Sequence, residues 1–236
     1  MRLAYAGLPL TLRVRLRPWL PAGIWPVTCE NPAVLVKHFE QFYGGKIRLI
    51  LAFRHSQVDD PLCLSYMFSR ILPHAAKIEG VDRPSPFHSH FMYERGMPLW
   101  AGSGLGWFFS RRGGITIKRG KRLDLKALKT VREYLADGQF PFTIAPEGAT
   151  NGHGEIVSPL EPGTAQIAFW TVEDLQKANR PERVILLPVG LKYLYPDPDW
   201  AALDRLMSQL EADCGLPVRS FAYPNKVGID DYYQRL

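Results

Sequence analysis

The sequence predicts an α/β fold, a single domain in which a mixed, largely parallel sheet is flanked by helices. Three observations carry that expectation. Short aliphatic runs alternate with stretches of helical periodicity, the rhythm of strands joined by crossover helices. At 236 residues and 46% apolar content, the chain can bury one substantial core and needs no second. The first three strand-like runs each end in polar or charged residues, as at the rim where α/β sheets bind ligands.

Residues 1–30 form a basic leader, with Arg2, Arg13, Arg15 and Arg17 and no acidic side chain before Glu30. Thr11–Arg17 alternates, Leu12, Val14 and Leu16 on one side and arginines on the other, which is a strand period confined to an edge by Pro9 and Pro18. Two readings stand: an edge strand packed on the core, or a membrane-surface element with arginines on lipid phosphates and Trp19 and Trp25 at the interface.

Residues 31–195 form the expected core. Asn31-Pro32 opens a helix that ends near Gly44-Gly45, and the Lys46–Arg54 strand follows. A helix over about 61–72 places Leu62, Tyr66, Phe68 and Leu72 inward, and residues 97–110 read as a glycine-interrupted helix. In Gly113–Gly120, Ile115 and Ile117 alternate with Thr116 and Lys118, a short strand with a cationic end. Asp124 caps a helix that runs to Gly138 with Leu125, Leu128, Val131 and Leu135 on one face. Phe142–Asn151 begins as a strand and empties into Pro146-Glu147-Gly148. A helix over Thr164–Ala178 leads to the buried-strand run Val184–Gly190, which Pro188 closes. Beyond the core, residues 196–236 hold an amphipathic helix, Trp200–Cys214, with Leu203, Leu206 and Leu210 on its apolar side, and a tail without a recognisable motif.

A formal charge of +6 favours anionic partners: phospholipid headgroups, an acidic carrier protein or nucleic acid. Zinc-finger, helix-turn-helix and RNA-recognition signatures are absent, so nucleic acid is not expected as a partner. Three dispersed cysteines, Cys29, Cys63 and Cys214, argue for reduced thiols in a cytosolic setting. No run approaches the ~18 apolar residues of a membrane-spanning helix, and the N-terminus lacks a signal-peptide pattern. The expectation is a cytoplasmic protein held peripherally on the inner face of a membrane, with an anionic membrane surface as partner.

The chemistry concentrates at His55 and Asp60, a His-x4-Asp pair directly behind the Lys46–Arg54 run. Asp60-Pro61 has the form of a helix start, with Asp as cap and Pro first inside. This places an imidazole at the carboxyl end of a strand and a carboxylate at the mouth of the next helix. An imidazole oriented by a carboxylate is a common general base; the plainer reading is a turn histidine beside a capping aspartate. Glu147-Gly148 reads as a loop that contributes a carboxylate and backbone N–H groups, or as a simple turn. Arg111, Arg112, Lys118, Arg119, Lys121 and Arg122 read as a phosphate-binding cluster or as a solvated face. His88 and His90 have the His-x-His spacing of metal ligands, without a supporting His-Glu-x-x-His motif or Cys pair, and no metal is expected. The chain lacks a Gly-x-Ser-x-Gly elbow, which suits a reaction whose nucleophile is supplied by the substrate.

In order along the chain, four blocks resemble those of the glycerolipid acyltransferases typified by 1-acylglycerol-3-phosphate acyltransferase. They are Arg54-His55 to Asp60, Gly114-Ile115-Thr116-Ile117-Lys118-Arg119, Ala145-Pro146-Glu147-Gly148-Ala149-Thr150, and Leu187-Pro188-Val189. The resemblance spans roughly residues 30–195. It implies O-acyl transfer from an acyl thioester to a hydroxyl of a lyso-glycerolipid, as in phospholipid synthesis, with His55 as base and Asp60 orienting it. It further implies that Lys118, Arg119, Glu147, Gly148 and Pro188 contribute to substrate binding, and that acyl-CoA or an acyl carrier protein is co-substrate with no cofactor. The alternative is a non-catalytic module that binds lipid or acyl carrier at the membrane surface. Among the departures from the pattern, Arg54 replaces the usual Asn, and Thr150 stands where an acceptor-binding Arg is usual.

Overall fold

The computed structural model describes residues 8–13, 23–82, 86–96, 103–118, 124–154, 156–194, 199–221 and 231–232. Residues 1–192 form one compact unit and residues 193–236 a second. The described elements of the first start with a short helix, α1 (Leu8–Arg13), then α2 (Pro32–Tyr43), β1 (Ile47–Phe53) and α3 (Asp60–Tyr66). A π-helical turn, Met67–Ile71, runs straight into α4 (Leu72–Ile78). There follow β2 (His90–Glu94), α5 (Ser103–Arg111), β3 (Gly114–Ile117), α6 (Leu125–Asp137), β4 (Phe142–Ile144), α7 (Gly163–Lys177) and β5 (Arg183–Val189).

The five strands make one sheet in the order β3-β2-β4-β1-β5. Every pairing in it is parallel, so the largely parallel sheet expected from sequence is parallel throughout. Parallel strands need covered crossovers, and both faces of β1 are accordingly buried. Leu49, Leu51 and Phe53 face a cluster built with Leu35, Val36 and Phe39 of α2 and with Leu64, Met67, Phe68 and Leu72 of the 60–78 helical segment. Ile50 points the other way, toward Val131 and Leu135 of α6 and Ile167 of α7. This alternation follows from the period of two along a strand.

β2 had no counterpart among the expected strands. Its first residue and the one before it, His90 and Ser89, are polar, yet it is an inner strand between β3 and β4. Ser89 accepts a hydrogen bond from the Thr143 hydroxyl at 2.6 Å, so two buried hydroxyls satisfy each other. The 11–17 strand is also corrected. Residues 8–13 are helical, because Leu8 and Leu12, one turn apart, are both buried and α1 packs against α3. Residues 14–17 lie outside the described residues. Within the leader, the Arg13 guanidinium lies 3.7 Å from the centre of the Trp25 ring.

In the second unit, α8 (Trp200–Asp213) is capped by Asp199, whose carboxylate accepts from Ala202 N at 2.8 Å. Its buried face is not the leucine stripe: Leu206 and Leu210 are exposed, while Asp204, Met207 and Glu211 are buried. The carboxylates are turned inward because they receive the returning chain. Asp204 accepts from the Ser220 hydroxyl and Phe221 N, and Glu211 from Arg219 N.

Candidate active site

The connection leaving β1 runs over one face of the sheet through α3 and α4, while that leaving β4 runs over the other through α7. β1 and β4 are neighbours. Their carboxyl ends therefore flank a switch point, where an α/β sheet opens a crevice. Two loops meet there. Asn151 N donates to the His55 carbonyl at 3.2 Å and Gly152 N to the Ser56 carbonyl at 3.1 Å, so the loop after β4 is sewn to the loop after β1.

Asp60 is the first residue of α3 and is fully buried. The cap position falls one residue earlier than expected, on Asp59, whose side chain makes no capping bond. Asp60 Oδ2 lies 2.9 Å from His55 Nδ1 and accepts from Gln57 N at 3.0 Å. A carboxylate only accepts, so Nδ1 carries the hydrogen and Nε2 keeps its lone pair. The imidazole is 20% exposed and packs edge-on against Phe53.

Glu147 is buried, and both of its oxygens are engaged by the protein. Oε1 accepts from His55 N at 3.0 Å, and Oε2 from Asn151 Nδ2 at 2.7 Å and Ser158 N at 2.8 Å. Burial works to raise the Glu147 carboxyl, but the N–H groups of Ser158 and His55 and the Arg54 charge outweigh it and hold the carboxyl below its ordinary range. Gly148 has φ of 77°, and a Cβ there would stand 2.5 Å from the Glu161 carboxylate, so only glycine fits the turn without rearrangement.

Arg54 does not lie open beside the imidazole. Nη1 donates to the Gly154 carbonyl at 2.6 Å, and Nη2 to those of His153 at 2.8 Å and Ile156 at 2.6 Å. Asp59 is buried, and its Oδ2 has no hydrogen-bond partner among the described residues. Burial, and then the charge of Asp60, push its carboxyl up to about 6.

The structure thus brings together His55, Asp60, Glu147 and Gly148. Lys118 is exposed at the carboxyl end of β3, and its N–H donates to Asp124 at 3.1 Å. Strand order puts it two strands beyond β4, about 10 Å across the sheet. Arg119, Lys121 and Arg122 lie outside the described residues. Arg111 and Arg112 precede β3, so its four residues, ~13 Å of strand, separate them from Lys118 and the basic cluster is not one patch. Pro188 is exposed on the edge strand β5, in register with Ala52. His88 donates through Nε2 to the Arg112 carbonyl at 3.0 Å, and His90 stacks on Tyr134 at 4.5 Å, so both rings are engaged by the fold, His90 at the amino end of β2 where it pairs with the start of β4, away from the carboxyl rim that carries the dyad. Asn151, Ser158 and the three-carbonyl grip of Arg54 were missed from sequence; Asn151 stands in the third block's run, which was the one available signal.

An imidazole–carboxylate pair and a buried glutamate thus share one carboxyl rim of a purely parallel sheet. The acyltransferase family model matches residues 27–192, most of the chain. The chain belongs to this family, the glycerolipid type that its ordered blocks resemble, and its general chemistry is acyl transfer. No curated protein matches the chain.

Proposed function

We propose that the protein moves a fatty acyl group from an acyl thioester to a hydroxyl of a lyso-glycerolipid or related lipid. The observation that supports this reading most is the 2.9 Å contact between His55 Nδ1 and Asp60 Oδ2. With Nδ1–H held, Nε2 takes the proton of the acceptor hydroxyl as its oxygen attacks the thioester carbonyl. Asp60 stabilises the imidazolium that forms, and the proton then passes to the departing thiolate. The acceptor supplies the nucleophile, so no covalent enzyme intermediate is needed. A general base supplies ~10²–10⁴-fold, and positioning with oxyanion stabilisation supplies the rest.

In this reading Glu147 and Gly148 shape the acceptor side of the crevice, with Glu147 bracing the His55 main chain. Lys118 and Pro188 contribute to substrate binding, a role that the block resemblance extends to Arg119, and the cations attract the anionic groups of donor or acceptor. The donor is acyl-CoA or an acyl carrier protein. No helix among the described residues is long and apolar enough to cross a membrane. The net charge of +6 supports peripheral, salt-sensitive attachment to the inner face of an anionic membrane, with the protein otherwise cytoplasmic.

The test is turnover of acyl thioesters by the pure protein with a panel of lysophospholipids. Thioester consumption that depends on acceptor and falls at least ~100-fold in His55→Ala is expected. Lipid or carrier binding without turnover across the panel would instead indicate the non-catalytic module.

A further inference from the structure

The family pattern places an asparagine before the histidine, and this chain carries Arg54 there. Asparagine is short and has one amide; arginine offers five N–H donors in a rigid fork on a long stem. Here the fork is used on main chain. Arg54 N donates to the Val189 carbonyl at 3.1 Å, which ties its backbone to the end of β5. Its guanidinium then reaches the carbonyls of His153, Gly154 and Ile156. Those residues belong to the loop that carries Asn151 and Ser158, the two donors on Glu147 Oε2. Asn151 also donates to the Ile156 carbonyl at 2.8 Å, so Arg54 and Asn151 hold the same peptide from two sides. Glu147 Oε1 in turn grips His55 N–H. The contacts form a closed circuit from Arg54 through the loop and Glu147 back to the residue that follows it in sequence.

We infer that Arg54 is a positioning residue, which closes the 151–158 loop and thereby sets the main chain that carries the His55 imidazole. The inference rests on the reading of His55 as general base. The other anchors of the loop are polar and lie at its ends, Asn151 N and Gly152 N on the His55 and Ser56 carbonyls and the Glu147 contacts; Ile156 and Val157 are 60% and 58% exposed, so apolar burial does not hold its middle down. Removing the guanidinium leaves the His153 and Gly154 carbonyls without their side-chain donor and the Ile156 carbonyl with Asn151 alone, which loosens the loop. Asn151 and Ser158 then no longer define one geometry for Glu147. Misplacement on the order of 1 Å at a base costs up to about 100-fold in rate.

The experiment pairs a readout that needs no activity with one that does. Arg54→Asn and Arg54→Lys are compared with wild type for thermolysin cleavage before Ile156, Val157 and Leu160, and for kcat and KM of thioester turnover. With both variants folded by circular dichroism, cleavage in this loop is expected to rise at least ~10-fold. The expected kcat falls ~10–100-fold while KM for the thioester stays within about threefold. Arg54→Lys keeps the charge and loses the fork, so full kcat in that variant would overturn the positioning role in favour of simple charge. A loop that opens with kcat unchanged, or one that stays protected in both variants, would overturn it as well. Adding Glu147→Gln to Arg54→Asn should cost little beyond the worse single variant, because both break one circuit; independent, additive losses count against it. If wild type turns over no thioester on any acceptor, the functional reading fails while the cleavage result still decides whether Arg54 holds the loop.

Discussion

The main-chain N–H of His55 donates to Glu147 Oε1 at 3.0 Å, so the carboxylate of the third block holds the backbone of the first. The two residues are far apart in sequence and come together because β1 and β4 are paired. All three partners of Glu147 are donors. Glutamine can offer an acceptor to His55 or to the Asn151–Ser158 pair, but not to both. Glu147→Gln is expected to lose ~1–3 kcal/mol of stability, because a buried N–H is left facing another donor. It should also lower kcat more than it raises KM. Unchanged melting and unchanged kcat would show that the carboxylate is not a strut.

Gly148 turns the chain directly after this strut. Alanine there meets a left-handed backbone cost of ~1–2 kcal/mol and, separately, the Glu161 carboxylate 2.5 Å from its Cβ. Gly148→Ala should therefore destabilise, and Gly148→Ala with Glu161→Ala should recover only the steric part. Thermal melts of the set decide it. Full recovery in the double variant would mean that the positive φ carries no strain.

Arg48 is the second residue of the otherwise apolar strand β1, with its guanidinium buried beneath the end of α6. Nε donates to the Leu135 carbonyl at 2.6 Å and Nη2 to that of Gly138 at 2.7 Å. Burial, and then the charge of Arg180, lower its pKa to about 10, so the charge persists at neutral pH. It satisfies the last carbonyls of the helix and the negative end of its dipole. Arg48→Met keeps the stem and strips these donors, and denaturant unfolding should show a loss of ~2–4 kcal/mol. Arg48→Lys should recover only part, since one ammonium cannot reproduce the fork. A Met variant within 0.5 kcal/mol of wild type, about the scatter of a neutral substitution, would refute the role.

Much of this was legible in the sequence, and the limits have physical causes. β1, β3, β4 and β5 carry local apolar patterns, and the rim they end on follows from them. β2 does not, because its stability comes from neighbours on both sides and from the Ser89–Thr143 pair, not from its own composition. In the leader two periods competed: Leu12, Val14 and Leu16 alternate, but the Leu8–Leu12 spacing prevails once α3 is there to cover it. α8 shows the reverse, a leucine stripe left exposed because Asp204 and Glu211 are needed to receive the returning chain. His55 and Asp60 stood out since their spacing is short. Arg54 stood out as a departure from the pattern, but its circuit did not, because its contacts join residues about a hundred positions apart.

Asp59 and His88 give stability opposite slopes with pH. The Asp59 carboxyl titrates near 6 in the native state, above an ordinary aspartate. The native state therefore holds this proton where the unfolded chain has lost it, and the contribution present below about pH 4 disappears as pH rises through 6. Burial, against the pull of the Arg112 carbonyl, lowers His88 to about 4. Its contribution is complete above about pH 6.5 and is lost as pH falls through 4. Each is worth at most about 3 kcal/mol. Between pH 4 and 6 they offset one another. Asp59→Asn removes one slope, so it should gain ~1–3 kcal/mol at pH 7.5 and lose stability more steeply than wild type on acidification. Urea unfolding across pH 4.5–8 measures both; parallel curves would sink the assignment.

Thr150 bears on the acceptor. It is exposed at the lip of the crevice, next to Asn151, where the resembled family carries an arginine. Of the second block's cations, Lys118 leaves a strand two places beyond β4, and Arg119 lies outside the described residues. A phosphomonoester bound at the crevice therefore lacks a close guanidinium on this loop, and the expected acceptor preference is for lyso-lipids or hydroxylated lipids with other headgroups. Thr150→Arg adds a bidentate donor at an exposed position, so it should leave folding unchanged. A charge-assisted bond is worth ~1.5–3 kcal/mol, which corresponds to a ~10–100-fold lower KM for lysophosphatidic acid. KM for an acceptor without a phosphomonoester should stay within about twofold, because a selective contact discriminates between acceptors and does not act on all of them. Efficient use of lysophosphatidic acid by wild type, with no fall in KM on substitution, would show that the cations of the second block already suffice.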